Sequence, residues 1–234
     1  MSEQMIKKVL ITGANGFIGG SLMRYYQNQG QDVVGVDLVG NGNDIIGGDI
    51  AHPDSISHVL QECDVIIHTA ALVSNAMQDS DMWRVNVLAT RNLIEAAKEH
   101  KVRRFVQISS VVAYGNSAEG ELDESQPVHA DGGSYVLTKL ASEHVVLGAQ
   151  ANDDIEVVIL RPGDAYGPGS RPWIIAPLEA IAKNQFMLPA KGEGFFRPIY
   201  IDDLVRGIVM AASHPDAAGE IFNISCEGYM ATKE

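Results

Sequence analysis

A short apolar run, Lys7-Lys8-Val9-Leu10-Ile11-Thr12, leads directly into Gly13-Ala14-Asn15-Gly16-Phe17-Ile18-Gly19, and a helical pattern follows from Phe17 to Asn28. A run of this length suits a strand buried on both faces. Three glycines in seven residues permit a tight turn and a close approach of backbone at the helix start. Four more runs repeat the theme: Val33-Val34-Gly35-Val36-Asp37, Val65-Ile66-Ile67-His68, Arg104 to Ser109 and Val157-Val158-Ile159-Leu160. Helical patterns lie between them at Asp54 to Gln61, Asp81 to Glu99 and Ser134 to Ala149. Strand alternating with helix implies βαβ units, and so an α/β chain with a Rossmann-type, doubly wound parallel sheet.

After Leu160 the pattern changes. Pro and Gly cluster in Arg161-Pro162-Gly163 and Tyr166-Gly167-Pro168-Gly169. A helix is expected from Trp173 to Lys183, then a turn-rich stretch through Gly194, a strand at Ile199-Tyr200-Ile201, a helix from Asp202 to Ala212 and a strand from Glu220 to Ile224. We therefore expect a dinucleotide-binding unit over 1–160 and a small C-terminal substrate-binding segment over 161–234, interleaved with the last sheet elements. Thr232 reads as a helix N-cap, yet the sequence ends at Glu234, so a further C-terminal piece is expected.

The 234 residues carry 17 basic and 30 acidic side chains, a net charge of −13. That balance argues against nucleic acid or an anionic membrane as partner, since both require clustered Lys and Arg. The N-terminal residues lack the basic and apolar parts of a signal peptide, and no apolar stretch is long enough to span a bilayer. A cytoplasmic protein is expected. Cys63 and Cys226 have no ligand-like spacing, and no metal site is expected.

The first glycine turn sits between a strand and a helix, the context in which free helix N–H groups and the helix dipole bind a pyrophosphate. Gly13, Asn15, Gly16, Phe17, Ile18 and Gly19 are thus candidate dinucleotide contacts. Asp37 ends the second strand, where a carboxylate accepts hydrogen bonds from ribose hydroxyls and repels a 2′-phosphate; this favours NAD over NADP. A second constellation is Tyr135 and Lys139, four apart in Ser134-Tyr135-Val136-Leu137-Thr138-Lys139 and so on one helix face. By itself the pair also fits an ordinary amphipathic helix. An ammonium beside a phenol, with a positive nicotinamide ring nearby, would lower the phenol pKa and suit it to proton transfer. Ser109 and Ser110 end the fourth strand at the same end of the sheet as the glycine turn.

Together these residues resemble the extended short-chain dehydrogenase/reductases, the group that holds NAD-dependent epimerases, dehydratases and hydroxysteroid-type dehydrogenases. The resemblance covers nearly the whole chain. It implies an enzyme in which Asp49 and Ile50, in Gly48-Asp49-Ile50, lie at the adenine. Ala70 and Ala71, in His68-Thr69-Ala70-Ala71, flank the cofactor ribose, and Asn86 and Ser109 lie near the cofactor. Ser110, Tyr135 and Lys139 match the catalytic triad. Arg161-Pro162 and Tyr166-Gly167-Pro168 match the bend past the nicotinamide, with Pro162 as a contact. Asp203 matches an acidic residue of the helix after Tyr200-Ile201. The implied chemistry is hydride exchange with a carbinol carbon. Tyr135 serves as general acid/base, Ser110 holds the substrate oxygen, and Lys139 binds the nicotinamide ribose.

Departures from the family pattern narrow the branch. Val111-Val112-Ala113 follows Ser110 where sugar dehydratases carry acidic residues. Phe196 stands where nucleotide-sugar epimerases place a pyrophosphate-binding Arg, and Arg197 is one position off, which on a strand is the opposite face. With Trp173-Ile174-Ile175 and Phe195-Phe196 this favours an oxidoreductase acting on a secondary alcohol or ketone. A nucleotide-sugar epimerase is the alternative, and a non-catalytic NAD-binding sensor or scaffold is the third. Relatives dimerise through two helices per subunit, so a homodimer is expected. Ala89, Leu93, Ala96, Ala97, Leu140, Val145 and Val146 are candidates for that interface, unless they cover the sheet. His68 reads as a satisfied core histidine, His129 and Asp131 as a solvated loop, and Asp164 as a possible substrate contact.

Overall fold

In a computed structural model the chain is described over residues 6–73, 77–115, 120–151, 155–187, 192, 194–228 and 230–231. Thr232 and Glu234, on which the expected extra C-terminal helix rests, lie outside the described residues. Seven parallel strands form the main sheet: β1 (Lys8–Thr12), β2 (Asp32–Asp37), β3 (Ile45–Gly47), β4 (Val65–His68), β5 (Arg104–Ile108), β6 (Glu156–Pro162) and β10 (Ile221–Ile224). Their order is β10-β6-β5-β4-β1-β2-β3, so the winding reverses beside β1. Ligands bind at such a switch point, at the carboxyl ends of the strands.

Strict alternation along each strand fixes the two layers. Val9 and Ile11, Val106 and Ile108, and Val158 and Leu160 face one side, where α1 (Phe17–Asn28) and α7 (Ile201–Ser213) cover them with Leu22, Met23, Leu204, Val205 and Ile208. Leu10, Phe105, Val157 and Ile159 face the other side. There α2 (Ser57–Leu60), α4 (Thr90–Glu99) and α5 (Ser134–Gln150) supply Val59, Leu60, Leu93, Ile94 and Val146. Parallel strands buried on both faces produce the continuous apolar runs of the sequence.

Ala89, Leu93, Ala97, Leu140 and Val146 are buried within the chain, and Ala96 and Val145 pack against the same core. Ala89, Leu93, Ala97 and Val146 thus cover the sheet, while Ala96 and Val145 stay partly exposed. The exposed apolar side chains of these elements are Trp83, Leu88 and Leu137.

Three expected helices are more broken than their periodicity suggested. The first starts as a 3-10 turn, Pro53–Ile56, before α2. The second joins α3 (Asp79–Trp83) to α4 through a wide π-type segment, Arg84–Ala89. The third is another such turn, Arg171–Ile175, leading into α6 (Ala176–Ala182). The segment beyond Leu160 lends α7 and β10 to the main layers. What it adds outside them is β7 (Asp164–Tyr166) paired with β9 (Pro198–Tyr200), β8 (Phe195–Phe196) paired with β11 (Met230–Ala231), and α6. Arg104 is wholly buried and caps the C-terminal end of α7, donating from its guanidinium to the carbonyls of Ala211 and His214.

Candidate active site

At the end of β1 the chain turns through Gly13, whose φ is +68°. The Gly13 carbonyl accepts the Gly16 N–H at 2.9 Å, and Gly16, in extended conformation, caps α1. A methyl group on Gly19 would lie 2.2 Å from the Gly13 carbonyl oxygen, and one on Gly13 would lie 2.8 Å from the Ala70 backbone. The glycines thus let three backbone segments close on one another. The first turn of α1 holds no acidic residue, so its N–H groups and positive dipole end are left for an anion. Phe17 and Ile18 stand in that turn.

Asp37, at the tip of β2, accepts the N–H of Asn15 at 2.9 Å and of Leu38 at 2.8 Å, one on each carboxylate oxygen. Asn15 returns its side-chain amide to the Val39 carbonyl. The loop and the carboxylate are therefore one unit, with lone pairs remaining for ribose hydroxyls. The Asp37 carbonyl also accepts the Gly48 N–H, which brings Gly48-Asp49-Ile50 alongside. Asp49 accepts the Ala51 N–H on one oxygen. Ile50 turns its side chain into the core, which leaves its backbone as the part able to meet a ligand. A backbone cradle closed by glycines, an uncapped helix start and a tethered carboxylate fit the diphosphate and ribose of a dinucleotide.

Beyond β4, Ala70 and Ala71 border the glycine turn, with the Ala70 N–H directed at Thr12 Oγ1 (3.4 Å). Asn86, in the π-type segment, is buried. Its amide accepts the Leu72 N–H at 2.7 Å and donates to the Leu72 carbonyl and to Thr138 Oγ1, each at 3.0 Å. It ties the border segment to α5. The wider backbone turn in which it stands is a common device at functional sites, and no periodicity announces it. His68 bonds Thr12 through Nδ1 (2.7 Å) and Thr90 through Nε2 (2.9 Å). Burial first, then the Lys139 charge, holds it down at about 3, so it is a neutral core histidine.

Ser110 follows β5 and its hydroxyl accepts the Val112 N–H. Tyr135 stands in the first turn of α5 and Lys139 one turn later, fully buried, with Nζ donating to the Ile108 carbonyl at 2.8 Å. Strand end and helix start thus bring Ser110, Tyr135 and Lys139 to the carboxyl edge of the sheet. Burial raises the Tyr135 phenol to about 12, and a hydrogen bond with Ser110 opposes that rise. The lowering expected from Lys139 is not supplied by the protein alone, because a half-buried phenolate loses more hydration than the neighbouring groups return. Burial lowers Lys139 to about 8, with Glu143 opposing. The Ser109 hydroxyl donates to Glu143 and its N–H to the Leu160 carbonyl, so its side chain points into the interior.

On the other rim, Pro162 ends β6 and Gly163 passes so close to Arg197 that a methyl group would lie 2.4 Å from the Arg197 carbonyl oxygen. Asp164 accepts the Arg197 N–H at 3.0 Å, and burial raises its pKa. The Arg197 guanidinium reaches the Gly120 carbonyl at 3.3 Å. Phe196 packs on Trp173 with ring centroids 4.8 Å apart. Asp203 is on the exposed first turn of α7, paired with Arg206. His129 and Asp131 are exposed. Glu143 was missed in the sequence. It lies four residues beyond Lys139 on the buried face, among Leu140 and Val146, and an acidic group there is the signal that would have found it.

The comparisons agree with this geometry. The model of the NAD dependent epimerase/dehydratase family matches residues 9–225. The chain is 29% identical to a dTDP-glucose 4,6-dehydratase of Streptomyces niveus, over 93% of this chain and 72% of the relative. It is also 29% identical to a 3 beta-hydroxysteroid dehydrogenase/Delta 5-->4-isomerase of Mycobacterium tuberculosis, over 93% of this chain and 64% of that protein. Among solved structures, the UDP-glucuronic acid 4-epimerase of Bacillus cereus, in complex with UDP-glucuronic acid and NAD, superposes with a TM-score of 0.85 at 29% identity, over 97% of this chain and 80% of that one. A match over nearly all of the described sheet and both halves of the site leaves one assignment: the chain belongs to the NAD-dependent epimerase/dehydratase family.

Proposed function

We propose that this NAD-dependent enzyme interconverts a secondary alcohol and a ketone. The observation that carries the reading is the placement of Ser110, Tyr135 and Lys139 together at the carboxyl edge of the sheet, with Tyr135 hydrogen bonded to Ser110 and Lys139 donating to the Ile108 carbonyl at 2.8 Å. Gly13, Asn15, Gly16, Phe17, Ile18 and Gly19 would hold the pyrophosphate. Asp37 would hold the adenosine ribose, Asp49 and Ile50 the adenine, Ala70 and Ala71 the cofactor ribose, and Pro162 the nicotinamide side. Bound there, NAD supplies an acceptor and donor of hydride. Ser110 donates a hydrogen bond to the substrate oxygen and holds it against the Tyr135 hydroxyl. Tyr135 takes the alcohol proton in oxidation and returns it in reduction. Lys139 donates from its ammonium to the nicotinamide ribose, while the hydrogen bond from Ser110 counters the rise that burial imposes on the phenol.

A nucleotide-sugar epimerase is the second reading, favoured by the UDP-sugar complexes among the similar structures. Against it stands the rim. Phe196 occupies the expected arginine position and is packed on Trp173, while Arg197 is turned to the Gly120 carbonyl. The turn Val111–Tyr114 after Ser110 carries no acidic group, which weighs against the sugar-dehydratase chemistry of other relatives. We further propose a homodimer through the outer faces of α3, the π-type segment Arg84–Ala89 and α5, where Trp83, Leu88 and Leu137 are exposed. Elution at a monomer volume would contradict it. No helix among the described residues is long and apolar enough to cross a membrane. The mechanism is tested with Tyr135→Phe. Turnover should fall by about 10²–10⁴-fold with NAD binding retained, and full turnover would refute the role of the phenol.

A further inference from the structure

Glu143 is an acidic side chain in the interior that the mechanism does not use. It lies on α5 one helical turn beyond Lys139, and both are almost wholly excluded from solvent. Arg161 donates from Nε to Oε1 at 3.0 Å and from its terminal nitrogen to Oε2 at 2.7 Å, and the Ser109 hydroxyl donates to Oε1. Arg161 also donates to the Tyr114 hydroxyl at 3.0 Å and lies over the Tyr114 ring, 4.8 Å from its centroid. Three donors thus meet on one carboxylate, two of them from a guanidinium.

A buried ion pair is a weak source of stability. Its placement here is what calls for a reason. Ser109 precedes Ser110, Arg161 precedes Pro162, and Glu143 shares a helix face with Lys139 and Tyr135. Lys139 Nζ donates to a neutral acceptor, the Ile108 carbonyl. A buried ammonium with only a carbonyl for company tends to lose its proton. Burial does lower Lys139, and Glu143 is the group that opposes it. The other titratable groups around Lys139 are Tyr135 on its own helix, the neutral His68 at the end of β4, and Arg161 on β6, ion-paired with Glu143 and farther along the network.

We propose that Glu143 is a positioning residue that acts through Lys139: its carboxylate, fixed by Arg161 and Ser109, is the counter-charge that keeps the buried Lys139 ammonium protonated beside Tyr135. This rests on the reading of Lys139 as part of the NAD-linked triad. The test is a pH titration of the Lys139 side chain by NMR in protein labelled with carbon-13 at lysine Cε, its signal assigned from a Lys139→Met spectrum, with NAD affinity measured in parallel. In Glu143→Gln the Lys139 midpoint should fall by about one pH unit or more. NAD affinity should then weaken more at about pH 8 than at about pH 6, and Glu143→Asp should restore most of both. A folded Glu143→Gln protein with an unmoved midpoint overturns the proposal. Because Arg161 is left unpaired in that variant, the Glu143→Gln/Arg161→Met protein serves if it does not fold; with the opposing cation also gone the fall should be smaller, and a midpoint at or above the native one overturns the proposal. Failure of the native protein to bind NAD refutes the cofactor reading, while the titration still decides the role of Glu143.

Discussion

Protonating His68 should cost the fold about 2 kcal/mol at pH 5, and the origin of that figure is local. Thr90 Oγ1 donates to the Asn86 carbonyl, so it can only accept from His68, which places the ring proton on Nε2. Nδ1 is then the acceptor for the Thr12 hydroxyl. Burial first, then the Lys139 charge, lowers the ring to about 3. In the unfolded chain its pKa is about 6.5. A group depressed on folding contributes stability that is complete above the unfolded value and is lost as the pH falls towards the folded one. The window for His68 therefore runs from about pH 6.5 down to about pH 3. At pH 5 the unfolded ring has gained about 1.5 pH units of proton affinity, and at about 1.36 kcal/mol per unit that is about 2 kcal/mol. The figure is insensitive to the folded value as long as that value lies well below 5. Urea denaturation of the native protein and of His68→Gln at about pH 7.5 and pH 5 isolates the contribution. His68→Gln will be less stable at both pH values, but its loss between them should be smaller than that of the native protein by about 2 kcal/mol. Equal losses in the two proteins would refute the neutral, buried ring.

Two other substitutions probe the cradle. Gly19→Ala puts a methyl group 2.2 Å from the Gly13 carbonyl oxygen, which is backbone and cannot swing aside. Calorimetry should show a loss of about 1–3 kcal/mol, and NAD affinity should fall with it; an unchanged affinity would mean the loop is not the binding surface. Asp37→Ser removes charge-assisted hydrogen bonds worth about 1.5–3 kcal/mol, so NAD binding should weaken by about tenfold or more while NADP is no longer repelled; an unaltered preference in fluorescence titration would remove Asp37 from the ribose site.

The parts legible in the sequence were those written in local patterns. Short β-branched runs marked β1, β2, β4, β5 and β6, because strands covered on both faces need apolar residues at every position. The glycine turn was legible because Gly13 needs a positive φ and Gly19 needs room for a carbonyl. The short strands β3, β7, β8 and β11 were not, since two or three residues leave no period to read. The π-type turns were also hidden, because the residues of Arg84–Ala89 keep a helical pattern while the backbone widens. The inward turn of the Ser109 side chain was hidden for a different reason. Adjacent residues at a strand end point opposite ways, so Ser110 can face the site only if its neighbour faces inward, and the partner waiting there, Glu143, is distant in sequence. What covers Leu93 and Val146 was not legible either, because the periodicity that marks an apolar helix face does not say whether a sheet or a second subunit covers it.

The central claim is met most directly by nicotinamide absorbance, recorded while the protein with NAD is offered apolar secondary alcohols and, separately, UDP-sugars. The account predicts net NADH from an apolar alcohol, and its loss in Tyr135→Phe. Inversion of a UDP-sugar with no net NADH would contradict the dehydrogenase reading, and with it the weight placed on Phe196 and Trp173.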